Sequence, residues 1–152
     1  MSAPEKHAKI RVRVALFAIR NDEILLARHV KGDKEYYMLP GGGLGHGETM
    51  VAALKRELQE EAGVNVEGLR LQAVCESIAP NGKRHIVHVV FRGEYVDGEP
   101  GSTGLDERVA EVTWMPLKDF FNVPFYPDIK DYLIEAAEGP VGPLYREIRW
   151  IK

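Results

Sequence analysis

Glu57, Glu60 and Glu61 stand three and four residues apart in a stretch free of glycine and proline between Thr49 and Gly63. If that stretch is helical, a rotation of about 100° per residue brings the three carboxylates out of one face within a single turn. Like charges at i, i+4 cost about 0.2 to 0.5 kcal/mol apiece in an isolated helix, so stability alone gives no reason to gather them. A divalent cation reverses that sign. Clustered carboxylate oxygens suit hard ions such as Mg2+ or Mn2+, which keep some waters and accept phosphate oxygens as further ligands. The competing reading is a solvated, glutamate-rich helix face. Arg56 lies four residues before Glu60 and can pair with it, either as a surface ion pair or as a group that orients the carboxylates. Spacing alone leaves both open.

The elements that must position these acids follow from pattern. Thr49 is a suitable N-cap, Met50 to Ala62 is compatible with a helix, and Gly63 terminates it. Leu54, Leu58, Val51 and Ala62 fall on an adjacent face, giving an apolar stripe to bury and leaving the acids at the border with solvent. Upstream, the alternation from Ile10 to Arg20, the turn Asn21-Asp22 and the run Glu23 to His29 predict a hairpin. A charged loop, Val30 to Glu35, then leads through Tyr36 to Leu39 into Pro40 and five glycines between Gly41 and Gly47, a stretch read as a loop. Downstream, Leu69 to Ile78 and His85 to Val96 predict a second hairpin around Pro80-Asn81-Gly82. A strand over Val109 to Trp114, an amphipathic helix over Asp128 to Ala137 and a last strand over Tyr145 to Ile151 complete the reading. Strands interleaved with two clear helices imply an α/β fold with a mixed sheet.

The whole stretch Gly42 to Val64 resembles the Nudix box, G-x5-E-x7-R-E-U-x-E-E-x-G-U with U a bulky aliphatic residue. Every specified position is met, by Gly42, Glu48, Arg56, Glu57, Leu58, Glu60, Glu61, Gly63 and Val64. At ordinary residue frequencies an accidental match is well below about one in a million. The order of flanking elements is similar too, with a hairpin before, Leu39-Pro40-Gly41-Gly42 leading in, and strands and a helix after. The resemblance implies the family's α/β/α sandwich, with a mixed sheet between helices, as one domain over residues 1–152.

It also implies a hydrolase acting on a phosphoanhydride bond of a nucleotide, in which box glutamates bind Mg2+ or Mn2+ bridging the phosphates and a polarised water attacks phosphorus. Carried over by position, Glu57, Glu60 and Glu61 are the metal-ligand or base candidates and the Gly41 carbonyl a further ligand. Glu48 and Arg56 would hold loop and glutamates in place. Family members take the general base from the box or from an acid on a downstream loop, where Glu107 is the first candidate and Asp106 and Glu111 compete. Arg28, Tyr37 and Gly42 are candidates for substrate contact, with Arg11, Arg13, Lys31, Lys34, Arg84 and Tyr36 behind them. The substrate expected is a nucleoside diphosphate linked to another group, with ADP-ribose or another nucleotide sugar ahead of dinucleoside polyphosphates and triphosphates. A Nudix-like nucleotide-binding module without turnover is the alternative.

The remaining features set bounds. Glu48 stands where a phosphate-binding P-loop needs lysine after Gly42-x4-Gly47, and His46 breaks the G-x-G-x-x-G spacing counted from Gly41. His85 and His88, three apart in one strand, should face opposite sides and share no metal. Trp114, Phe120, Phe121 and Phe125 are expected in the core or an interface. A chain of 152 residues, 45% hydrophobic and with formal net charge -3, lacks the positive field that duplex nucleic acid selects. Its single cysteine, Cys75, the polar N-terminus and the lack of a long apolar run lead to the expectation of a cytoplasmic protein off the membrane. The first hairpin and the C-terminal segment are candidate surfaces for a homodimer.

Overall fold

The computed structural model describes residues 9–101 and 109–150, so Asp106 and Glu107 lie outside the described residues. Strand β1 (Ile10–Phe17) pairs in parallel with β8 (His85–Arg92) on one side and antiparallel with β5 (Gly41–Gly43) on the other. The five-stranded sheet runs β11, β7, β8, β1, β5, with β7 spanning Arg70–Ile78 and β11 spanning Leu144–Glu147. It is mixed. The chain leaves it at Ala18 and enters a second sheet through β2 (Ile19–Arg20), β3 (Glu23–Lys31), β4 (Lys34–Met38) and β10 (Val109–Pro116), in which β3 is the common partner of the other three. Two short strands, β6 (Asn65–Glu67) and β9 (Tyr95–Asp97), pair separately.

Period-two alternation divides the interior into two layers. Val14, Leu16, Leu25 and Ala27 face one side and pack on helix α1 (Met50–Ala62) through Ala53, Leu54 and Leu58. Ala15, Phe17, Ile24 and Leu26 face the other and meet Phe120 of the short helix α2 (Leu117–Phe120) and Leu133 and Ala136 of α3 (Lys130–Glu138). Helices thus cover both faces, giving the expected α/β/α sandwich.

Local chemistry explains most boundaries. Asn21 and Asp22 both take positive φ, 52° and 60°, as the tight turn between β2 and β3 requires. Thr49 Oγ1 accepts from the Ala52 amide at 3.1 Å, and Gly63, left-handed at φ 69°, donates back to the Gln59 carbonyl at 3.1 Å, so α1 begins and ends where its caps predict.

Several expectations change. Val30 to Glu35 is not a loop: β3 runs to Lys31 and β4 starts at Lys34, leaving Gly32 and Asp33 as a hairpin turn with Gly32 at φ 64°. Gly41 to Gly43 form an edge strand, because a backbone without side chains can press against β1; a Cβ on Gly41 would stand 2.0 Å from the Val14 carbonyl oxygen. The strand expected over His85 to Val96 breaks at Gly93, where a Cβ would stand 2.7 Å from Val66 and 2.8 Å from Leu16. Val51 is 39% exposed rather than part of the apolar stripe. Phe121 is exposed as well, one residue past α2, whereas Phe120 is fully buried and meets Phe125 edge-on.

Candidate functional site

α1 presents its acids in graded depth. Leu54, Leu58 and Glu61 are spaced four and three apart on its inner face, so Glu61 falls within the buried stripe and keeps only 5% exposure. The expected border with solvent belongs instead to Glu57, whose side chain is 19% exposed, and to Glu60, at 49%.

Arg56 ties this face to the glycine-rich segment. Its Nη2 donates to Glu48 Oε1 at 2.7 Å and its Nε to Glu48 Oε2 at 3.1 Å, a two-point fork. Nη1 donates to Glu57 Oε1 at 3.0 Å and Glu60 Oε2 at 3.1 Å, while Nη2 also reaches the Gly43 carbonyl at 3.3 Å. Glu48 Oε1 accepts in addition from the Gly45 amide at 2.7 Å. The Arg56 hydrogen bonds, aided by that amide, hold the Glu48 carboxyl below its ordinary range, and Glu48 in turn raises the guanidinium further above its own. The ion pair and the orienting role that spacing left open therefore coincide.

Gly42 fills the angle between strand and helix. A Cβ there would lie 2.2 Å from both Cδ and Oε2 of Glu57, so this carboxylate rests directly on the glycine backbone. Backbone groups of Gly43 and Gly45 complete the network. Sequence reasoning misses both, because an amide or carbonyl has no side-chain signature. As placed, no three of the described acidic, histidine and cysteine side chains converge on one ion position; the Arg56 guanidinium stands among the carboxylates.

The other candidates gather elsewhere. Arg28 pairs with Glu35 at 3.3 Å and Glu111 at 3.4 Å, and it faces Tyr37 across the β3 and β4 pairing. The Tyr37 hydroxyl is raised above its usual range by burial first and by Glu35 next. Glu111 thus sits in an ion pair on β10. His85 binds Glu76 at 2.8 Å, while His88 is buried against Tyr126, so the two histidines are separated as their spacing requires.

A family model described as the NUDIX domain matches residues 9–136, nearly the whole described fold. The chain belongs to the Nudix family. As a Nudix hydrolase it is an enzyme of the pyrophosphohydrolase type. Among similar proteins is "Putative 8-oxo-dGTP diphosphatase 2" of Mycobacterium tuberculosis, 31% identical over 127 residues, covering 82% of this chain and 86% of that protein. The human 8-oxo-dGDP phosphatase NUDT18 is 39% identical over 85 residues, covering 49% of this chain. The chain spans only 26% of that relative's length. A crystal structure of a MutT protein from Bacillus halodurans superimposes with a TM-score of 0.76 at 19% identity, covering 92% of this chain and 90% of that one, and it speaks to the fold alone. Nudix hydrolases generally use divalent metal ions. No helix among the described residues is long and apolar enough to cross a membrane.

Proposed function

We propose that this Nudix hydrolase cleaves a phosphoanhydride bond of a nucleoside diphosphate bearing a further group, using Mg2+ or Mn2+ held by Glu57, Glu60 and Glu61 with the Gly41 carbonyl. The observation that carries this reading is the seating of Glu57 on Gly42. The carboxylate fills the space over Gly42 while the space over Gly43 beside it is open, and the donors assembled there are oxygens, which fit a hard cation. An ion held there supplies charge neutralisation on the phosphates and a more acidic water. To hold such an ion, Glu57 and Glu60 would have to turn from Arg56, which would keep its fork on Glu48 and so hold the box loop to the helix. Glu107, in residues outside those described, is our first downstream candidate for the base, ahead of Asp106 and Glu111. Arg28 and Tyr37 are proposed to reach the part of the substrate beyond the phosphates.

ADP-ribose and other nucleotide sugars head the substrate panel, and the names of the two relatives add 8-oxo-dGTP and 8-oxo-dGDP to it. We further propose one domain over residues 1–152, a cytoplasmic location without duplex nucleic acid or membrane as partner, and a homodimer. A single cysteine is in keeping with a reducing compartment, and Cys75 itself is buried, its thiol pushed up to about 12 by desolvation and so unreactive. For the dimer, the edge strand β11 offers the exposed Tyr145. The deciding experiment is hydrolysis of that panel with Mg2+ or Mn2+, alongside Glu61→Gln. One class should turn over with metal, and the variant should lose at least about a hundredfold, roughly 2.7 kcal/mol of barrier, while staying folded. Near-normal turnover by the variant would remove the metal assignment, and binding without any turnover would leave a nucleotide-binding module.

A further inference from the structure

The sheet face turned away from α1 carries a buried polar group that the catalytic reading does not use. Cross-strand register places Gly43, Arg13, His88 and Cys75 in one row over β5, β1, β8 and β7. Strands lie about 4.7 to 4.9 Å apart, so His88 stands two strands, or about 10 Å, from Gly43. Gly43 in turn adjoins Gly42, on which Glu57 rests. A nucleotide with its phosphates at Glu57 would therefore have this row within reach of its far end.

His88 is 1% exposed, and neither ring nitrogen has a hydrogen-bond partner among the described residues. Buried polar atoms are nearly always satisfied, and a bare donor and a bare acceptor on one ring cost stability that an apolar residue would not. Around the ring the chemistry is polar too. Tyr126 meets it edge-on at 5.3 Å between centroids, and the Tyr126 hydroxyl exchanges a hydrogen bond with Ser77 Oγ at 3.0 Å. Arg13, its neighbour on β1, donates to the Leu39 carbonyl at 2.9 Å, just before the glycine strand.

We infer that His88 is a specificity-determining residue, whose imidazole hydrogen-bonds the heteroaromatic base of the nucleotide once the Tyr126 ring turns aside. The inference rests on the reading of α1 as the phosphate end of the site. A base is favoured over a sugar phosphate because burial first, and Arg13 next, push the His88 pKa down to about 3. The ring is then neutral, with one donor and one acceptor, a match for the uncharged edge of a base and a poor one for phosphate. Turning the Tyr126 ring costs its hydroxyl the hydrogen bond to Ser77. The Tyr126 backbone stays tied through its amide to the Tyr37 carbonyl at 3.0 Å.

The test sets stability against recognition in His88→Leu. A ring kept for ligand binding predicts a variant that melts at or above the wild-type temperature. Its affinity for the preferred member of a nucleoside monophosphate panel should fall about tenfold or more, its KM should rise in proportion with kcat little changed, and ribose 5-phosphate should bind as before. Unchanged affinity and KM would overturn the inference, and so would a variant that melts lower and loses affinity for every ligand alike, since His88 would then serve the fold. Nitrogen-15 spectra of the wild-type imidazole give a second readout that needs no variant. Its ring resonances should move on saturation with the preferred monophosphate and stay in place with ribose 5-phosphate; a ring indifferent to both would refute the assignment. Binding of monophosphates that depends on His88, in a protein that hydrolyses nothing, would instead sink the catalytic reading and leave this inference standing.

Discussion

Gly42→Ala tests the site through geometry rather than through charge. The new methyl would stand 2.2 Å from Cδ and Oε2 of Glu57, where real Cβ contacts under 3.0 Å essentially do not occur. Gly42 lies in β5 and is not among the glycines with positive φ, so alanine imposes no backbone strain of its own. The Glu57 carboxylate is the mobile partner and has to retreat by about 1 Å, stretching its 3.0 Å bond to Arg56. A misplacement of about 1 Å at a reacting centre can cost on the order of a hundredfold in rate, or roughly 2.7 kcal/mol of barrier. Stability should change far less, because the displaced group is the end of a side chain that is not fully buried. Steady-state kinetics on the nucleotide that turns over fastest, with Mg2+ titrated and the melting temperature measured alongside, would read both effects. We expect kcat/KM to fall about a hundredfold with the fold retained and the Mg2+ requirement raised. A variant within about threefold of wild type would refute the view that Glu57 must rest on Gly42.

Neighbouring positions give contrasting outcomes. Gly41→Ala should be the worst for folding, since its Cβ would enter the Val14 backbone at 2.0 Å, and circular dichroism with thermal melting should show loss of the native state. Gly47→Ala, at φ 84° but with open space around it, should cost about 1 kcal/mol of stability and little activity, again by melting and kinetics. Mg2+ should raise the melting temperature of the wild type but not of Glu61→Gln, since an ion that binds only the folded protein stabilises it by mass action. Acid should expose His88: its folded pKa lies near 3 against an ordinary 6.5, so the unfolded chain takes up the proton first. Stability is then lost as pH falls from about 6.5 towards 3, by up to about 1.4 kcal/mol per pH unit, and His88→Leu should flatten that slope in urea titrations.

How much of the molecule is legible in its sequence depends on whether a feature lives in side chains or in backbone. The caps Thr49 and Gly63 fix α1 because one carries an oxygen for an amide and the other tolerates a left-handed conformation, and both properties are written in residue type. Asn21-Asp22 announces its turn in the same way. Glycines mislead for the complementary reason. Freedom in φ reads as a loop, yet Gly41 to Gly43 are used for close approach to β1, a tertiary fact that no local pattern holds. Depth is the other blind spot. Three and four residue spacing puts Glu57, Glu60 and Glu61 on one face but cannot say that Glu61 is drawn under the sheets, because that depends on how α1 is rolled against Val14 and Leu16. Spacing marks His88 only as a residue that cannot share a metal with His85. Its burial follows from β8 lying centrally between β1 and β7, with Tyr126 arriving from a distant loop.

The bonds of Arg56 suggest how one side chain serves both states of the proposed site. Its fork on Glu48 has two contacts in the geometry guanidinium and carboxylate favour, and Glu48 is anchored a second time by the Gly45 amide. To Glu57 and Glu60, by contrast, Arg56 gives one bond each, both from the same nitrogen. An incoming cation displaces Arg56 more easily from these two acids, each of which it grips once, than from Glu48, which it grips twice. The arginine would then lose two contacts and keep the pair that fastens the loop to the helix. Without it, Glu48, Glu57 and Glu60 would lose the cation they share before the ion arrives, in a protein whose net charge is already -3. In the proposed cycle, Arg56 is therefore the counter-charge that lets these acids wait together for a metal while holding the box loop in the position that metal binding requires.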